Sequence, residues 1–113
     1  MDALAEYRKT AIAHGEATAA GKSRNANRAY DKMVRIRRGL RKDGLEQARI
    51  LLSLLDDESI YVRLWAAVDA LELSPDDGVR VLRELAQGPP SFTQGSAETL
   101  LEQWNSNTFK KPW

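Results

Sequence analysis

The run Asp57-Glu58-Ser59-Ile60-Tyr61-Val62-Arg63-Leu64-Trp65-Ala66-Ala67-Val68-Asp69-Ala70-Leu71 decides the architecture of this 113-residue chain. It opens on a polar turn at residues 56–59 and continues as a helix to about residue 73 that is apolar around much of its circumference. A helix without a broad polar face has to be covered on several sides, so this one belongs in the middle of the protein. Outward from it, an internal correspondence appears at an offset of thirty residues. Leu52 matches Leu82, Leu55 matches Leu85, Ala67 matches Ala97, Ala70 matches Leu100 and Leu71 matches Leu101. Two helix pairs that carry apolar residues at equivalent places predict a stacked helical array, in which each pair buries the face its neighbour cannot bury alone.

The remaining elements follow from periodicity and punctuation. A short helix over residues 45–55 carries the stripe Ala48, Leu51, Leu52 and Leu55. Ser74-Pro75-Asp76-Asp77 starts a fifth helix: Ser suits the cap, Pro suits the first helical position, and the acids suit the positive helix end. Gly88-Pro89-Pro90 ends that helix, and a sixth begins between Phe92 and Ser96, carrying Ala97, Leu100, Leu101 and Trp104. Toward the N-terminus, residues 23–42 form a basic helix with the inward stripe Ala26, Ala29, Tyr30, Met33, Ile36 and Leu40, stopped by Asp43-Gly44. Before Gly21, residues 2–20 form a first helix with Leu4, Tyr7, Ala11 and Thr18 on one stripe, and Gly15 beside it permits close helix contact. The expected fold is all-α, with about six helices in one domain. An N-terminal pair (1–43) caps two stacked pairs (44–73 and 74–105), and residues 106–113 form an irregular tail.

The quoted run resembles the short HEAT-like repeats, whose usual pattern is Asp, a few residues, Val-Arg, Ala-Ala and Ala-Leu. The second copy is weaker, because Gln94-Gly95-Ser96-Ala97 has no Val-Arg step. Through Ala11-Ile12-Ala13-His14-Gly15-Glu16-Ala17, Asn27-Arg28-Ala29-Tyr30-Asp31-Lys32-Met33 and Val62-Arg63-Leu64-Trp65-Ala66-Ala67, most of the chain is similar to a small bacterial HEAT-like family of unknown function. Some proteins of this kind serve as immunity partners that neutralise bacterial toxins, and the resemblance implies such a role here. It also implies that Arg63 pairs with an acid of the preceding turn, Asp56 or Asp57.

Composition narrows the function classes. There is no cysteine, which removes disulfides, thiolate nucleophiles and cysteine metal sites and fits a reducing compartment. No apolar run approaches the ~18 residues of a membrane span, and the N-terminus lacks a basic region followed by an apolar one, so a cytoplasmic protein is expected. His14 is the single histidine, so no second imidazole or thiolate completes a metal site with it. The seven glycines read as helix ends and turns, with no phosphate-binding loop or dinucleotide fingerprint. The pairs Asp56/Asp57 and Asp76/Asp77 fall at turns and helix starts, where capping explains them. The expectation is a protein that is not an enzyme, with no catalytic residues, metal, cofactor or small-molecule substrate. An enzyme built on carboxylates would instead need converging acids in a cleft.

The net charge of +1 conceals an asymmetry: residues 22–42 hold nine basic side chains against one acid, Asp31, and the rest of the chain carries −7. At 100° per residue, Arg24, Arg28, Arg35, Arg38 and Lys42 share one stripe opposite Met33. This ridge either binds phosphates, making nucleic acid the alternative partner, or is a solvated face offset by acidic helices nearby. Arg37 projects beside the buried stripe and requires an acidic mate, since an unpaired buried charge is costly.

The leading expectation is a protein-binding module, with the partner a toxin domain if the resemblance carries over. If Leu64, Ala67, Ala70 and Leu71 face one neighbour of the central helix and Val62, Ala66 and Leu73 another, then Tyr61, Trp65, Val68, Asp69 and Glu72 remain on its open side as the partner-binding surface. Alternatively, Trp65 packs under the first helices or under the tail. Phe109 and Trp113 either dock on the sixth helix or engage the partner.

Overall fold

The computed structural model describes residues 2–111. Six helices follow in order: α1 (Ala3–Ala19), α2 (Ser23–Arg41), α3 (Leu45–Ala48, continuing as a 3-10 helix over Arg49–Asp56), α4 (Ile60–Leu73), α5 (Pro75–Ala86) and α6 (Phe92–Asn105). The described residues contain no strand, so the fold is all-α as expected.

Local chemistry sets most of the boundaries. The Leu4 N–H donates to Asp2 Oδ1 at 3.0 Å and starts α1. Gly21, at φ +72°, ends α1 in a left-handed turn in which the Lys22 N–H reaches Ala17 O and the Gly21 N–H reaches Thr18 O. Ser91 Oγ accepts from the Gln94 N–H at 3.0 Å and opens α6. Pro75 stands in the first turn of α5 as its fixed φ favours, but Ser74 makes no side-chain cap; its hydroxyl donates instead to Asp77 Oδ2 at 2.6 Å. The Ser74 N–H still bonds to Ala70 O, so one residue closes α4 and opens α5.

The third element departs from the expected α-helix. From Arg49 onward it winds at three residues per turn, which brings Ala48, Leu51 and Leu54 into line and leaves Leu52 only half-buried. Leu54 therefore takes the inward place predicted for Leu52. Gly15, Gly39, Gly78 and Gly95 lie inside helices and not at their ends. At two of them the missing side chain is a packing requirement. A Cβ on Gly15 would meet the Tyr61 ring, and one on Gly78 would lie 2.8 Å from Ala67 O in the backbone of α4.

The central helix is where its composition places it. Val62, every residue from Trp65 to Leu71, and Leu73 are buried. On one side α4 packs against the 3-10 segment, and on the other against α5, which packs on α6; α1 crosses it and carries α2 outside. Leu55 and Leu85 are both buried, as are Ala67 and Ala97, but Leu52 is half-buried where Leu82 is fully buried, so the correspondence at thirty residues holds at some positions and not at others. Leu100 and Leu101 are only half-buried, because α6 ends the stack.

Candidate functional site

The N-terminal pair is tied to α4 by a buried polar network. Met33 on α2 is fully buried, and Arg37, one turn further on the same face, goes in with it. Arg37 Nε donates to Asp69 Oδ2 at 3.0 Å, with both side chains 0% exposed. Asp69 also accepts from the Tyr7 hydroxyl at 2.5 Å and from Arg41 Nη2 at 2.7 Å. Arg41 Nε reaches Glu72 Oε1 at 2.9 Å, and Lys111 Nζ reaches Glu72 Oε2 at 2.7 Å. One acid on α4 thus organises groups from α1 and α2, and the next acid along holds the tail. Burial and the Asp69 charge push the Tyr7 phenol well above its ordinary value, so it remains a donor. Burial works against ionisation of Glu72, but hydrogen bonds from Lys111 and Arg41 outweigh it and hold its carboxyl below the usual range.

This network overturns the expected open face of α4. Asp69 is fully buried, Trp65 is 8% exposed and Val68 is buried. Tyr61 is half-buried with its ring over Gly15, and Glu72 is half-buried in its two ion pairs. The helical wheel identified the side of α4 left uncovered by its repeat neighbours, and the N-terminal pair covers it because Arg37 needs Asp69. Trp65 packs under the first helices, the second of the two arrangements considered: the His14 ring meets it edge-on at 5.0 Å, Tyr30 lies 6.0 Å away, and the Arg37 guanidinium carbon sits 4.5 Å from its ring centroid. Arg63 departs from its implied pairing as well. It bonds Glu84 of α5 and the Leu55 carbonyl, while Asp57 is taken by Arg8 of α1 at 2.8 Å.

Trp65 and Val68 nevertheless form part of the floor of an open groove of about 710 Å³ between the N-terminal pair, α4 and α6. Leu64 and Leu100 extend the floor, and His14, Tyr30 and Phe92 line the sides. Phe92 is 65% exposed and Tyr30 38%, unusual for aromatic rings beside an apolar surface. Phe109 docks on Trp104 of α6 with ring centroids 5.9 Å apart, and it lines the groove together with Lys110. Trp113 lies outside the described residues. The sequence reading missed Phe92, although a signal was present: Gly95, Ser96 and Thr99 follow it at helical spacing, giving α6 a face too small to fill the space beside it.

The cationic ridge lies where its periodicity placed it. Arg24, Arg28, Arg35, Arg38 and Lys42 are all exposed, and among the described residues none of them forms an ion pair. Asp69 and Glu72 of α4 pair with Arg41 and not with the ridge.

His14 is half-buried in the lining of the groove. Burial lowers its pKa below the ordinary 6.5, so the fold favours the neutral ring. Its contribution is whole above the unfolded-state value and is lost as pH falls through that value toward the lower folded one. Thermal unfolding followed from about pH 7.5 to about pH 5 is expected to show stability falling, with His14→Gln removing that part of the slope. An unchanged slope in the variant would refute the assignment.

A family model described as a domain of unknown function, DUF2019, matches residues 2–104. Among solved structures, the chain is similar to the crystal structure of the protein RPA1889 from Rhodopseudomonas palustris CGA009, with a TM-score of 0.89 and 26% sequence identity, covering 96% of this chain and 90% of that one. Among curated proteins, none matches.

Proposed function

This chain belongs to the DUF2019 family, and we propose that it is a non-catalytic protein-binding module whose docking surface is the groove floored by Trp65, Val68 and Leu100. The observation that carries this reading is the exposure of Phe92 and Tyr30 beside an apolar floor. Leaving large aromatic rings in water is unfavourable unless a partner covers them, and aromatic anchors at the edge of a pocket dominate binding energies. The groove lining holds no carboxylate, while Lys110 stands among its lining residues. Its complement is an apolar segment with an acidic flank, laid into a preformed groove. His14, with its pKa lowered and its ring against Trp65, serves here as a wall. The equivalent burial of Leu55/Leu85 and Ala67/Ala97 supports reading residues 44–105 as HEAT-like pairs capped by residues 1–43. In the finer form of the proposal the partner is a toxin domain that the chain neutralises by occluding its working surface. The resemblance supports that form, with the groove replacing the open α4 face as the contact.

Phe92→Arg tests the surface, because the ring is already mostly in water and the fold does not depend on it. Proteins captured from the native cell by the wild-type chain are purified and titrated against both forms by calorimetry. The variant is expected to bind about thirtyfold more weakly, as losing an anchor worth ~2 kcal/mol implies. Equal affinity of a purified partner for both forms would move the docking surface elsewhere.

A further inference from the structure

The N-terminal pair carries a second surface that the protein-binding reading leaves unused. Between α1 and α2 lies a groove of about 680 Å³. Alanines form much of its floor, Ala13 and Ala17 from α1 and Ala29 from α2, and its walls carry Lys9, Lys22, Arg28 and Lys32 against one acid, Glu16. Lys32 is held at 3.0 Å by Glu6; Lys9, Lys22 and Arg28 enter no ion pair among the described residues. No side chain caps α2 and its first turn contains no acid, so the backbone N–H groups beside Lys22 and Asn25 add positive potential at one end. Thr10, 3% exposed and lining the same groove, has a hydroxyl with no hydrogen-bond partner among the described residues. Arg28 belongs both to this groove and to the exposed ridge, which makes the two one continuous surface.

We propose that the α1–α2 groove and the ridge of α2 form a single site for the phosphodiester backbone of a nucleic acid, anchored at Lys22 and Arg28 and running past Arg24, Arg35, Arg38 and Lys42. The chemistry favours phosphate over a carboxylate-bearing partner for reasons of length and composition. From Arg24 to Lys42 the ridge extends roughly 27 Å at 1.5 Å per residue, which suits a chain of regularly spaced anions rather than one isolated group. Its cations are mainly arginines, whose planar fork pairs with phosphate oxygens two at a time. The surface reads backbone and not bases, since Tyr30, the aromatic ring exposed on α2, lines the other groove and not the ridge.

Fluorescence anisotropy with a labelled single-stranded 20-mer and its duplex tests the proposal, with inorganic pyrophosphate as the small-phosphate comparison. When salt rises from about 50 to about 200 mM, binding is expected to weaken about a hundredfold for the single strand and about five-hundredfold for the duplex, the slopes for roughly five phosphate contacts. Lys22→Gln/Arg28→Gln is expected to lose at least tenfold in affinity and to flatten the salt slope, while Arg80→Gln/Arg83→Gln on α5 leaves both unchanged. All these side chains are exposed, so the variants retain the fold, which circular dichroism verifies. Three results would overturn the site: no binding at low salt, equal losses in the α2 and α5 variants, or binding of pyrophosphate without binding of either oligonucleotide. Phe92→Arg leaves this surface intact, so the groove on the α4/α6 side and the α2 surface stand or fall separately.

Discussion

Asp69→Ala is expected to lower stability by about 3–5 kcal/mol, enough to lower the melting temperature by more than about 12 °C and to leave a large unfolded fraction at 37 °C. The carboxylate receives Tyr7, Arg37 and Arg41 in a site with no exposure. Removing it takes the carboxylate from the buried Arg37 charge, and breaking a buried ion pair costs more than the pair contributes when intact. The loss is therefore a penalty on what remains, which a second experiment separates from the worth of the contact. Tyr7→Phe/Arg37→Met/Asp69→Leu removes both charges and the buried hydroxyl that Asp69 satisfied and supplies apolar volume, and it is expected to recover most of the stability lost in the single variant. Urea unfolding of the three proteins, followed by circular dichroism and by tryptophan fluorescence, distinguishes these cases. A single variant within about 2 °C of wild type would show that the network is not what docks the N-terminal pair on α4.

The second large effect lies at the α4–α5 contact. In most helices Gly→Ala stabilises by up to ~1 kcal/mol, because alanine loses less conformational freedom. At Gly78 the sign is expected to reverse. The added carbon would lie 2.8 Å from Ala67 O, 2.9 Å from Leu71 N and 3.1 Å from Ala70 C, all backbone atoms of a helix buried on nearly every side. Backbone so confined cannot yield as a side-chain tip can, so α5 must move away from α4 and loosen the contacts of Val81, Leu82 and Leu85. A net loss of about 1–2 kcal/mol is expected for Gly78→Ala, and more for Gly78→Val, whose branched side chain enlarges the overlap. Gly95→Ala provides the opposite case, since nothing lies within 4 Å of its added carbon, and it is expected to raise the melting temperature slightly. If Gly78→Ala and Gly95→Ala shift the midpoint in the same direction, the close approach of the two helices is not what holds glycine at position 78.

Much of the architecture was legible in particular residues. Gly21 and Pro75 act within one helical turn of themselves, and each marks a helix end where its own chemistry requires. The apolar circumference of residues 60–73 required covering on several sides, whatever the covering was. The position of Arg37 next to Met33 required a carboxylate in the interior. These inferences depend on spacing along the chain, and spacing is local.

What spacing could not supply was the identity of each neighbour. The carboxylate that answers Arg37 lies thirty-two residues away, and its selection buried Asp69 and Trp65 on a helix face that looked free. Likewise, Arg63 meets Glu84 of α5, and Asp57 is met by Arg8 of α1. The larger groove arises where the N-terminal pair meets α4 and the small residues of α6 leave space unfilled, and the second arises where α1 and α2 meet each other. A sequence by itself determines which faces must be covered and which charges must be answered, because helix period and desolvation act on each residue where it stands. Only the tertiary structure decides which distant segment does the covering, since that choice is a competition among many surfaces and is settled by their joint packing.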